Sequence, residues 1–189
     1  MQNRKLVVIA GACLALGLSG VAVGKSGHAA AAPSKVTIKQ KGGVKMVPNR
    51  YVKDLLRFDK DTYIVKSGGT LHLVDSIIDE GPHTMTVVAK KDLPKNAAQT
   101  NPCKVCDKVS AAMGVDPNNQ EAPPKFFFLE NGTGSSAPPS VDRPGDSALI
   151  GPGEKPGESV DVKVTAKKGT TLYFMCIIHP QMQGKIQVK

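Results

Sequence analysis

Tyr173-Phe174-Met175-Cys176-Ile177-Ile178-His179-Pro180-Gln181-Met182-Gln183-Gly184 is the stretch that decides how this chain folds. Its front half continues Thr170–Met175, an aromatic and apolar run that reads as a strand, and Lys185–Lys189 reads as the last strand. The loop between them carries Cys176, His179 and Met182. A type 1 copper site needs one soft thiolate, two imidazoles in a trigonal set, and a weak axial thioether that tunes the potential. Strand, loop and returning strand deliver three of those four groups, so the fourth comes from elsewhere. His83, at the Gly81-Pro82 break before another strand, is the candidate. Taken singly, an extracytoplasmic Cys is usually half of a disulfide and a Met is usually core. The combination is what points to metal. Tetrahedral zinc wants more Cys or His and has no use for Met.

Working outward, alternation marks further strands. Ser34–Gln40 sets Val36 and Ile38 against Lys35, Thr37 and Lys39. Thr62–Lys66 and Thr70–Asp75 read as strands joined by Ser67-Gly68-Gly69, which supplies the positive φ of a tight turn. Thr84–Ala89 alternates again, and Ser159–Ala166 places Val160, Val162 and Val164 on one face. Tyr51–Phe58 fits either a short helical turn or a surface-crossing segment. The middle differs. About 92–158 holds Cys103-Lys104-Val105-Cys106, a helix-compatible piece (Asp107–Met113), an apolar knot at Phe126–Leu129, and a Gly/Pro/Ser-rich stretch from Asn131 to Gly157. It reads as a long loop insertion, partly packed and partly mobile. The expected fold is all-β: a Greek-key β-sandwich at 34–189 with that insertion and its short helix, and no second domain.

Composition agrees. The chain has 189 residues, is 40% hydrophobic, lacks Trp, and contains 19 Gly and 14 Pro. That favours turns and short strands over long helices. Arg4 and Lys5 precede an apolar run, Leu6–Val23, and small residues follow at Ala29–Ala32, so 1–31 reads as a signal peptide cut near Ala29–Ala31. Two other readings stay open: an uncleaved membrane anchor, and lipid modification at Cys13. Removing the signal lowers the formal charge from +9 to about +6. The remaining lysines are scattered, which fits a solvated basic face meeting an acidic partner or an anionic membrane surface, not nucleic acid.

The run Tyr173–Gly184 resembles the metal-binding loop of the cupredoxins, a family that includes plastocyanin, azurin, pseudoazurin and amicyanin. Cys176-x2-His179-x2-Met182 has the short, amicyanin-like spacing. Val65-Lys66-Ser67-Gly68-Gly69-Thr70-Leu71 resembles the strand-turn-strand ahead of the family's first histidine, and His83-Thr84 matches that ligand and its neighbour. The neighbour is often Asn, so Thr84 departs from the pattern and its role around the thiolate is open. The resemblance covers Lys35–Ala89 and Ser159–Lys189. It implies one type 1 copper per chain, held by His83, Cys176, His179 and Met182. It further implies a ring edge of His179 near the surface, ringed by Ile177, Ile178 and Pro180 as a patch for brief docking of redox partners. Lys185 is among the basic residues available to steer such a partner.

The other candidates read more plainly. His72 alternates within a strand and suits a surface or packing place, and His28 leaves with the signal. Cys103 and Cys106 suit a local disulfide, with a redox dithiol or half of a second metal site as sharper options. The expected function is a one-electron carrier, periplasmic, cell-surface or extracellular, monomeric, with membrane association through the N-terminal segment left open. Extracytoplasmic copper storage or delivery is the alternative. An enzyme is not expected, since a catalytic copper needs further histidines.

Overall fold

Lys35–Ile38 (β1) begins the first sheet and Gln40–Lys41 (β2) leaves it. Val44–Val47 (β3) and Tyr51–Asp54 (β4) form a hairpin, and Arg57–Phe58 (β5) returns to pair with β2. Next come Thr62–Val65 (β6), Thr70–Val74 (β7) and His83–Val88 (β8). Short 3-10 turns at Lys90–Asp92 and Ala97–Gln99 lead into the helix Lys104–Met113 (α1). Phe128–Glu130 (β9), Thr133–Ser135 (β10), Ser140–Val141 (β11) and Ser147–Ile150 (β12) follow. Ser159–Val164 (β13), Thr171–Met175 (β14) and Gln183–Val188 (β15) complete the chain. The computed structural model describes residues 31–77, 81–119, 122–151 and 157–189. The expected signal segment, with Cys13 and His28, lies outside them except for Ala31.

The strands make a sandwich. One sheet has the order β1-β7-β13-β11, the other β10-β9-β12-β8-β14-β15-β6. Strand alternation explains how they pack: Leu71, Leu73, Val162 and Val164 face Val87, Ile150, Phe174 and Ile186 in one buried core. Phe58 and Tyr63 tilt against Phe174 at ring-centroid distances of 4.8 and 5.9 Å. Buried rings of this kind contribute large apolar area and favourable tilted contacts to a core.

β8 is buried along its whole length, which a two-layer sandwich alone does not explain. Its other face is covered at Thr84 and Thr86 by hydroxyl contacts to Ser147 and the Ile177 backbone, and at Val88 by a cluster that includes α1. Cys106, Val109 and Met113 form the apolar stripe of that helix and pack with Val88, Leu129, Met175 and Ile177 in a second core. Cys103 caps the helix, its sulfur accepting the Cys106 N–H at 3.3 Å, and Cys103 and Cys106 are joined as the expected disulfide.

Ser67-Gly68-Gly69 joins two strands as expected, with Gly68 at a positive φ of 75°. β6 pairs with β15 and β7 with β1 and β13, so this turn carries the chain from one sheet to the other. Three expectations change. Tyr51–Phe58 is neither helix nor plain crossing but β4 and β5. The helix starts at Lys104, three residues before the expected piece, because Cys103 caps it. Finally, the Gly/Pro/Ser-rich stretch is not only loop. It contributes β12, which sits between β8 and β9 in the larger sheet. Pairing supplies what the short run Ser147-Ala148-Leu149-Ile150 lacks in local signal.

Candidate metal centre

Alternation in β14 aims the loop that follows it. Phe174 and Cys176 point into the sandwich core, whereas Met175 and Ile177 point to the α1 side. Cys176 is therefore delivered, fully buried, to the end of the sandwich. The loop then closes on itself. Met182 N–H donates to the His179 carbonyl at 2.8 Å, and Cys176 N–H donates to the Met182 carbonyl at 3.0 Å. His83 opens β8, held by its register against Ile150 of β12, and is also fully buried.

These elements bring three donor atoms together. His83 Nδ1 lies 3.2 Å from His179 Nδ1, and the two nitrogens lie 4.0 and 3.9 Å from Cys176 Sγ. The point equidistant from all three is about 2.2 Å from each, roughly the bond length that nitrogen and sulfur ligands make to a first-row metal. Among the described residues, His83, Cys176 and His179 are the group of His, Cys and acidic side chains able to hold an ion. No carboxylate belongs to it. One thiolate and two imidazoles suit copper better than the hard cations. Met182, fully buried in the same core as Cys176, lies in the loop that carries two of these donors. His83 and Cys176 are buried while His179 is half-buried, so one imidazole has an edge toward the surface.

Burial governs the electrostatics of the donors. Burial, helped by the neighbouring His179, lowers the His83 pKa to about 4, with only a weak opposing pull from the Ile77 backbone. His83 Nε2 is buried without a well-formed hydrogen bond among the described residues. His83 thus stays neutral and keeps a nitrogen lone pair for a ligand. Burial also raises the Cys176 thiol. Several donors oppose this: Thr84 N–H at 3.3 Å and His179 N–H at 3.4 Å point at the sulfur, and the Ile178 backbone and the Thr84 hydroxyl add to them. A bound metal ion would complete the compensation, since Cys176 would ligate it as the thiolate.

Thr84, where the sequence departs from the cupredoxin pattern, has a definite place. Its Oγ1 accepts the Ile177 N–H at 2.9 Å and a bond from the Thr86 hydroxyl at 3.1 Å, and Thr86 in turn meets Ser147 Oγ at 2.7 Å. This buried hydroxyl chain ties the loop to β8 and β12. Thr86 and Ser147 escaped sequence reasoning, since 61 residues separate them. The one signal was the polar alternation of Thr84 and Thr86 within an apolar strand.

Two other assignments sort out. His72 pairs with Asp161 (Nδ1 to Oδ1, 2.6 Å), on the first sheet and outside the donor group. Ile177 corrects the expected docking patch: at 8% exposure it belongs to the core under α1, while Ile178 is 44% exposed.

A β-sandwich whose strand β8 opens on His83, with a Cys-x2-His-x2-Met loop after β14, is the arrangement that the cupredoxin resemblance implies. No protein-family model and no curated protein matches the chain. Solved structures do. The dithionite-reduced auracyanin of Roseiflexus castenholzii is 17% identical, covering 84% of this chain and 99% of its own, with a TM-score of 0.42. Auracyanin A, a "blue" copper protein of Chloroflexus aurantiacus, is 20% identical over 83% of this chain and 99% of its own, also at 0.42. Oxidised plastocyanin of Dryopteris crassirhizoma is 18% identical over 82% and 100%, at 0.36. All three scores lie below 0.5, and the reading of this site rests on its own donor geometry.

Proposed function

We propose that this chain binds one type 1 copper ion through His83, Cys176 and His179, with Met182 as weak axial ligand, and serves as a one-electron carrier outside the cytoplasm. The convergence of two imidazole nitrogens and one thiolate on a single point carries this reading. Copper there supplies reversible one-electron exchange between its two oxidation states. The protein's contribution is rigidity. Cys176 and His83 are fixed by sheet pairing and burial before any ion arrives, and the buried surroundings keep water from adding as a further ligand. The half-buried His179 gives a short route to a partner, with Ile178 and Pro180 beside it as contact surface. The Cys103–Cys106 disulfide supports an oxidising compartment. A signal peptide over 1–31 and a domain over 34–189, with 92–158 inserted between core strands, complete the proposal.

Optical and electron-paramagnetic spectra of the purified, copper-loaded protein test it. The expected result is an intense blue thiolate-to-copper band with a type 1 signal, lost in Cys176→Ser. A colourless protein would sink the reading. Ready loss of the ion to a mild chelator, without reversible redox cycling, would favour copper delivery instead.

A further inference from the structure

Gln40, in the short strand β2, is a buried amide that the packing of the sandwich does not call for. It is 3% exposed, and its Nε2 is buried without a hydrogen bond among the described residues. Burying a half-satisfied amide costs stability, so an apolar side chain of that size would serve the core better. Its other polar atoms meet one residue, Ser76, which lies 36 positions along the chain. Gln40 N–H donates to Ser76 Oγ at 2.9 Å, the Ser76 hydroxyl donates to the Gln40 carbonyl at 2.7 Å, and Ser76 N–H donates to Gln40 Oε1 at 2.9 Å.

Ser76 lies in the connection that leaves β7 and leads to His83. Both its neighbours are braced as well. Asp75 N–H donates to the Glu158 carbonyl at 2.8 Å, Gly157 N–H donates to the Asp75 carbonyl at 3.1 Å, and Asp75 Oδ1 accepts the Ile77 N–H at 3.3 Å. Ile77 packs against the core cluster that holds Cys176 and Met182. Its backbone reaches the His83 ring in the sense that favours a ring proton, so the group facing the ring is the carbonyl. His83 Nδ1 is turned to Cys176 and His179, which leaves Nε2 for Ile77. A neutral imidazole carries one ring proton, and the group opposite one nitrogen decides which nitrogen is bare. Where an imidazole binds a metal, a carbonyl on its far nitrogen fixes both tautomer and ring orientation.

We infer that Gln40 and Ser76 are positioning residues for the metal site: they hold the Ile77 carbonyl toward His83 Nε2, keeping the ring proton there and the bare Nδ1 on the ion's side. This rests on the copper-binding reading.

Two measurements test it, one of them on the metal-free protein. Ring nitrogen-15 spectra at neutral pH should show wild-type His83 as a single tautomer with its proton on Nε2. Ser76 is exposed, so Ser76→Ala opens no core cavity; this variant and Gln40→Leu should each lose the single pattern to a mixture of both tautomers. Ser76→Thr keeps the hydroxyl and should restore it. Copper(I) affinity, read by competition with bicinchoninate, should fall about 10- to 100-fold in the first two variants and recover in the third. Val65→Ala removes volume from the same core without touching the clamp; it should melt lower yet keep the wild-type ring spectrum and affinity. Unchanged tautomer and affinity in both Ser76→Ala and Gln40→Leu would overturn the inference. So would equal changes in Val65→Ala, which would make the clamp merely structural. A wild-type protein that binds no copper would instead refute the copper-binding reading, and this inference would fall with it.

Discussion

Replacing Thr84 by Val keeps the side-chain shape and removes one oxygen. That oxygen accepts the Ile177 N–H at 2.9 Å in a place with no solvent, since Thr84 is 0% and Ile177 8% exposed. A buried N–H left without an acceptor costs about 1–3 kcal/mol. Thr86 keeps Ser147 as its partner, so its hydroxyl adds little further cost. For a domain of this size each kcal/mol moves the melting temperature by roughly 2–4 °C, so Thr84→Val should melt about 2–12 °C lower in the metal-free form. The same change removes a hydroxyl that helps hold the thiolate charged, so the copper-loaded variant should also show a shifted thiolate band and a lower reduction potential. Thr84→Ser loses a methyl and some stability but keeps the oxygen, and should restore band and potential. Differential scanning calorimetry of the metal-free proteins, with absorption spectra and potentials of the loaded ones, reads all of this. A Thr84→Val protein melting within about 1 °C of wild type, with the same band and potential, would refute the role given to the hydroxyl.

The depressed pKa of His83 predicts how the metal-free protein responds to acid. The folded state holds this ring neutral down to about pH 4, whereas the unfolded chain takes its proton near 6.5. The stability it contributes is present above 6.5 and is lost as pH falls toward 4; urea unfolding across that window should show the loss, reduced in His83→Gln. An equal loss in His83→Gln would mean another group titrates. Reducing the Cys103–Cys106 disulfide opens a short loop, worth about 2 kcal/mol in chain entropy, and should loosen α1 over Met175 and Ile177. Hydrogen exchange at those two amides should quicken, while the blue band persists because no donor is lost. Met182→Gln should keep copper but shift spectrum and potential, since an axial ligand tunes the metal without holding it; unchanged spectra would count against Met182 as ligand.

How much was legible follows from how local each feature is. Cys176, His179 and Met182 share one loop, so spacing alone displayed them as a set. The same holds for the disulfide, whose partners are three residues apart, and for strands such as β13, whose alternation Val160, Val162, Val164 needs no partner to be read. β12 was hidden in a Gly/Pro/Ser-rich stretch, because four residues between turns say little until β8 and β9 flank them. The turn Ser67-Gly68-Gly69 announced a reversal but not which sheet the chain would join. Ile177 came to the docking patch through the family resemblance, whereas strand parity carried past Met175 sends it under α1.

The donor types and their loop are legible along the chain, because ligands closely spaced between two strands are constrained by covalent connection. Only sheet pairing brings His83 to Cys176 across 93 residues, lets Thr84 close the loop from the neighbouring strand, and joins the loop to the β3–β4 hairpin through Gln181 and Asp54. Those are consequences of sheet register and side-chain parity, in which a residue's neighbours are set by hydrogen-bonded strands rather than by the chain, and no local pattern records which strands will pair.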